Sequence, residues 1–238
     1  MKLFSQCGRN MKALQRFSGR VSKEISPIRT RVALAESTNT VISALQTRLS
    51  IPASSITSIS QLESLFREPA LILNTFYRII LEMKGVREDS KLLSKLFEVI
   101  QKLQFAGGSG WLRPILMELI RRVSKAWLEF VEQWIGLRGN MGGGMGEWVE
   151  KTGFFVKIQT ETEVDERGVE SKQVHYVFDR SKVPGFMTSE DSEIVFECGR
   201  SLRFLYKFHP HHPLSRPGTL GIEAPTLDWK FSWADLEG

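Results

Sequence analysis

The chain has 238 residues, 42% hydrophobic and 25% charged, which is the balance of a folded protein able to bury a sizeable core. Its formal net charge of +5 comes from Lys and Arg spread over helix faces, without the clustered cations and interleaved stacking aromatics of a nucleic-acid surface. Apolar runs such as Ala70–Ile72 break far short of the ~20 residues that cross a bilayer, so no membrane span is expected. The only cysteines, Cys7 and Cys198, exclude a disulfide framework and fit a reducing cytosol.

Residues 1–23 carry Lys2, Arg9, Lys12, Arg16, Arg20 and Lys23 with no acid, interspersed with Leu3, Phe4, Met11, Leu14 and Phe17. An amphipathic transit peptide and an ordinary basic helix of a helical array share this pattern, and the helix is the reading preferred. From Arg31 to Leu49 the positions Leu34, Val41, Ile42, Leu45 and Leu49 mark a second helix, which Ile51-Pro52 ends because a residue before proline avoids the α region. Ser60 and Glu63 have capping-box spacing ahead of Leu65 and Phe66. Pro69 then fits the first turn of a separate helix with Leu71, Leu73, Phe76, Tyr77, Ile80 and Met83 on its apolar face, stopped by Gly85. Asp89 or Ser90 can cap the next helix, with Leu92, Leu93, Leu96, Phe97, Ile100 and Leu103, and Gly107-Gly108 can end it. The segment from Ser109 to Leu137 is the longest and most apolar. Its stripe from Ile115 through Trp127 and Phe130 to Trp134 is wider than a coiled-coil seam, which predicts a central helix packed on several neighbours with both tryptophans buried.

The glycine-rich run Arg138 to Gly146 lacks the Lys-Ser/Thr pair and the preceding strand of a phosphate-binding loop, so it reads as a connector. Phe154, Val156 and Ile158, with Val174, Tyr176 and Phe178, alternate as the strands of a β-hairpin, and Glu161, Glu163, Asp165, Glu166 and Glu170 lie around its Arg167-Gly168 tip. That acidic tip can hold a cation or meet a basic partner, although solvation is the simpler reading of an acidic run. After the Pro184-Gly185 turn, Ile194, Cys198, Leu202 and Leu205 define the apolar face of a last helix, in which Cys198 packs as a small hydrophobe. Gly199 sits inside this helix at a cost of ~1 kcal/mol, which implies close approach of another backbone, that of the Trp127 helix or of the Phe154 hairpin. His209, His211 and His212 are stiffened by Pro210 and Pro213 and lack partners from a second element, so no metal site is expected. No Gly-x-Ser-x-Gly elbow, His-Glu-x-x-His, kinase or dinucleotide fingerprint occurs, and neither catalytic residues nor cofactors are expected.

The ordered set Trp127-Leu-Glu-Phe130-Val-Glu-Gln-Trp134-Ile-Gly136, Gly153-Phe154-Phe155-Val156, Tyr176-Val-Phe178-Asp179, Val183-Pro-Gly-Phe186 and Cys198-Gly199-Arg200-Ser201-Leu202 resembles the gamma-tubulin complex component family, the Grip-motif proteins of the microtubule-nucleating ring. The likeness is ordered over residues 111–208 and looser over 31–137 and 227–236. It implies a mainly α fold, a helical bundle array with a small inserted β-hairpin. It further implies helical bundles over 1–138, the glycine-rich connector and hairpin over 139–182, and a helix with a truncated C-terminal segment over 183–238.

On this resemblance the chain corresponds to the amino-terminal module, and the glycine-rich insertion and acidic hairpin suggest a divergent component rather than a core one. The role implied is a non-enzymatic scaffold at the microtubule organising centre or spindle pole body in the cytoplasm. The implied partners are other gamma-tubulin complex components, and gamma-tubulin itself through a carboxy-terminal module that this chain lacks. The matching positions Trp127, Phe130, Phe155, Pro184, Gly199 and Leu202 are apolar or in turns and read as core. The basic residues Arg9, Lys12, Arg16 and Arg20 of the amino-terminal helix offer one face for the lateral contact. An adaptor that binds cytosolic peptides, with no microtubule role, is the alternative.

Overall fold

The computed structural model describes residues 2–50, 58–104, 110–138, 153–164, 170–215 and 225–228. It is mainly α: six α-helices and one antiparallel hairpin are present among these residues. The helices are α1 (Lys2–Val21), α2 (Arg29–Leu49), α3 (Ile59–Glu82), α4 (Asp89–Gln104), α5 (Arg113–Trp134) and α6 (Ser189–Phe208), with β1 (Val156–Val164) and β2 (Glu170–Phe178) between α5 and α6.

α1 and α3 run side by side in the same direction, with Phe4 edge-on to Phe66 at 5.2 Å near their starts and Asn10 facing Asn74 further along. Cys7, Leu14 and Val21 turn the buried face of α1 inwards, which settles the N-terminal segment as a packed helix of the bundle. α2 connects to α5 through Arg29 and Glu129, 3.3 Å apart. Ile28, at the cap position of α2, offers no side-chain acceptor, and the need is met from another element: Asp89 Oδ1 accepts from Thr30 N at 2.8 Å and from Thr30 Oγ1 at 2.6 Å. Ser90 Oγ likewise donates to the Gly153 carbonyl at 3.2 Å. The two residues expected to cap α4 therefore stitch α2 and the hairpin strap to its start.

α3 corrects two expectations. Ser58 caps it, accepting from Gln61 N, and Ser60 lies within the first turn; the helix then continues unbroken through Pro69 to Glu82. An interior proline forfeits one hydrogen bond. Phe66, Leu73 and Phe76 nevertheless fall in phase on one face with the buried Pro69, and their packing against the core holds the two halves together. The buried face is Ile72, Leu73, Phe76 and Ile79, while Leu71 is exposed. The chain reverses after α3 at Gly85, whose φ of 83° suits glycine alone.

α5 is the central helix. Leu119, Ile120, Val123, Trp127, Phe130, Val131 and Trp134 are all buried on it. β1 pairs with β2 in register from Val156 opposite Phe178 to Val164 opposite Glu170. Phe154 and Phe155 precede the strand and are both fully buried, so the expected alternation begins only at Val156. Gly107-Gly108, the glycine-rich run from 139 to 146 and the hairpin tip at 165–169 lie outside the described residues.

The face of α6 differs most from expectation. Ser192, Phe196 and Gly199 are buried, whereas Ile194 and Cys198 are exposed and Leu202 and Leu205 are half-buried. The inward face lies about a third of a turn from the apolar stripe read in the sequence. Trp134 decides this, because its indole packs directly against Gly199, where α6 has no side chain.

Candidate assembly surfaces

Two arrangements stand out, one holding the module together and one facing outwards. The first centres on Trp134. Its Nε1 donates to the Val195 carbonyl at 3.0 Å, its ring stacks on Phe196 with centroids 6.1 Å apart, and Tyr176 of β2 meets it edge-on at 5.3 Å. A Cβ at Gly199 would overlap the Trp134 indole. The close approach expected at Gly199 is thus made by a side chain of the Trp127 helix, not by a backbone, and the gap will not take even a methyl group.

Arg203, one turn beyond Gly199, lies over the same indole at 4.1 Å. Its guanidinium donates to the carbonyls of Trp134 at 2.6 Å, Gly199 at 3.0 Å and Gln133 at 3.4 Å. Carbonyls in the last turn of a helix lack intrahelical partners, so Arg203 acts as a C-terminal cap for α5 supplied by α6. Burial lowers its pKa to about 10, which leaves it protonated at neutral pH. Periodicity of apolar residues overlooked Arg203; the signal available was the spacing of Ser192, Phe196, Gly199 and Arg203 at intervals of three and four, which puts all four on one helix face.

A second tie closes the other side of α5. The buried Glu132 accepts from Leu227 N at 2.6 Å and pairs with Arg138 at 2.5 Å, and Arg138 in turn reaches Glu129 at 3.4 Å. Asp228 pairs with Arg121 at 3.2 Å. Residues 225–228 are thereby fastened along the central helix. At the base of the hairpin, Lys157 pairs with Asp179 at 2.8 Å and Asp179 N donates to the Phe155 carbonyl at 2.7 Å.

The outward arrangement is on α1. Arg9, Lys12, Arg16 and Arg20 follow at intervals of three and four, which puts all four on one stripe, and each is exposed. Arg9 donates to Gln6 at 2.9 Å and Arg20 to the Arg16 carbonyl at 3.4 Å; among the described residues none of the four is in an ion pair. Directly behind them lies the buried row Cys7, Leu14 and Val21. Of the positions read as core, Trp127, Phe130, Phe155, Pro184 and Gly199 are buried and Leu202 is half-buried. No group of three or more His, Cys, Asp or Glu residues is placed to hold a metal among the described residues, and no helix there is long and apolar enough to cross a membrane.

The described residues thus form a mainly helical module with internal ties of this kind, a solvated cationic flank and an inserted hairpin. Residues 1–228 match the sequence model of the family described as gamma tubulin complex component N-terminal, and the chain belongs to that family. Compared one by one with curated proteins, it matches none.

Proposed function

We propose that this chain is a non-enzymatic scaffold subunit of the gamma-tubulin complex, contributing lateral subunit contacts for microtubule nucleation through the outer face of α1. The observation that carries the reading is the contrast on α1 between a buried inner row and four exposed cations with no acidic partner of their own among the described residues. Family membership supplies the context. The partners proposed are other gamma-tubulin complex components, with gamma-tubulin engaged through a further module, in the cytoplasm at microtubule organising centres or the spindle pole body.

Charges at the rim of an interface act chiefly on association rate and salt dependence. Replacing Arg9→Glu and Lys12→Glu together is expected to leave the melting temperature nearly unchanged while slowing assembly with neighbouring components, most strongly at low salt. Sedimentation of reconstituted complexes at two salt concentrations measures this. Unchanged assembly at low salt would rule out the α1 face as the lateral contact. Persistent failure of the full-length protein to assemble with any other complex component would favour an adaptor role.

A further inference from the structure

A groove of about 900 Å³ opens where the C-terminal ends of α1 and α3 lie side by side. Arg16, Arg20 and Lys23 line one wall and Lys84 and Arg87 the other, with Glu24 the one acid among the lining residues. Arg31 also borders it but is already committed, pairing with Glu24 at 3.3 Å and donating to the Val86 carbonyl. The other five cations are in no ion pair among the described residues. Lys23 and Lys84 partly complement the negative ends of the two helices. Arg16 lies more than a turn before α1 ends, and Arg87 lies beyond the turn at Gly85, so that explanation does not extend to them.

Between these walls the floor is apolar, made largely by Val21, Ile80 and Met83, and Leu81 stands 50% exposed beside it. The two aromatic residues, Phe17 and Tyr77, are half-buried within the helix packing. A nucleic acid binds through phosphate pairing and open stacking platforms, and gains little from an aliphatic floor. Carboxylates spaced by apolar side chains satisfy both the walls and the floor. We propose that this groove docks an acidic peptide segment of a partner protein, seated by one or two apolar side chains between its carboxylates. Such docking goes beyond the lateral contact: Arg9 and Lys12 lie outside the groove, and Lys84 and Arg87 lie off α1.

The test uses the full chain and a fluorescein-labelled peptide of about a dozen glutamates in which one tryptophan and one leucine are placed, read by anisotropy at about 0.05 and 0.15 M salt. An all-glutamate peptide and an oligothymidylate of equal length serve as comparisons. Binding of the mixed peptide is expected to weaken about tenfold or more in Lys84→Gln with Arg87→Gln, and similarly in Arg16→Gln with Arg20→Gln on the opposite wall. Arg9→Gln with Lys12→Gln should leave it within about twofold, so failure of the lateral contact and failure of peptide docking are read separately. The all-glutamate peptide should bind more weakly. All five groove cations are exposed, and unchanged helical melting would show that the variants fold. Absence of peptide binding at low salt, binding indifferent to both groove pairs, equal binding of the all-glutamate peptide, or equal or tighter binding of the oligothymidylate would each overturn the proposal.

Discussion

Trp127 is fully buried against Phe154, Phe155 and Phe186, with ring centroids 5.7, 5.9 and 6.1 Å away, yet its indole N–H finds no acceptor among the described residues. Trp127→Ala should cost ~3–5 kcal/mol, because both area and cavity terms are lost. Trp127→Phe keeps most of the ring contacts and removes an unpaired donor, so its cost should stay below ~1.5 kcal/mol in denaturant unfolding. A Trp127→Phe cost well above ~1.5 kcal/mol would show that the indole N–H is paired. At Gly199 the overlap with Trp134 makes even Gly199→Ala destabilising, by ~1–3 kcal/mol, and Trp134→Phe in the same chain should recover part of the loss. Burial raises the pKa of Asp89 despite its hydrogen bonds from Thr30. The folded state then holds this proton more firmly than the unfolded chain. Stability attributable to Asp89 is therefore greatest below the ordinary aspartate value and falls as pH rises towards the raised one. Asp89→Asn keeps the Oδ1 acceptor and should flatten that slope, whereas Asp89→Ala loses the cap of α2 and should destabilise at every pH.

Among the elements, α5 was readable from sequence because Leu116, Ile120, Val123, Trp127, Phe130 and Trp134 recur on one wide stripe, so the face that buries the most apolar area takes both tryptophans with it. α6 was not, since Ile194, Val195, Phe196 and Cys198 cover several sides and the deciding residues are a glycine and an arginine, which a search for apolar periodicity passes over. α3 held a usable clue: its apolar residues stay in phase across Pro69, as one helix requires and two separate helices do not. The hairpin pairs as expected, but the burial of both Phe154 and Phe155 reflects a strap crossing the core before the strand starts, which alternation cannot represent. Asp179 anchors the base of that strap. Lys157, followed by Ser181, holds its carboxyl at about 2. A lowered acid of this kind adds stability that is full above the ordinary aspartate value and is lost as pH falls through about 2. Asp179→Asn should thus increase hydrogen exchange in the hairpin at neutral pH, with the difference from the parent protein shrinking towards pH ~2. Arg203→Ala should raise exchange in α6 and the hairpin while leaving α1 to α3 protected. Uniform loss of protection would mean that α6 is part of one cooperative unit with the bundle.

At the scale of the molecule, the ties at Trp134, Glu132 and Asp89 bind α2, α4, α5, α6 and the hairpin to one another, and α1 completes the bundle from the outside with its cations towards solvent. Sequence located those cations because no acid interrupts residues 1–23. The groove that Arg16 and Arg20 share with Lys84 and Arg87 was hidden, since residues some seventy positions apart meet only once α1 and α3 are aligned in parallel. The proposed scaffold role depends on rigid faces, so changes confined to exposed cations should alter association without unfolding. The central claim, that the protein is a gamma-tubulin complex subunit acting by assembly, is tested most directly by sedimenting full-length protein from cytosol in a density gradient and probing the fractions for gamma-tubulin and other complex components. The protein is expected to travel with them in a large complex that survives moderate salt. Sedimentation as a free protein, with gamma-tubulin confined to other fractions, would contradict the claim.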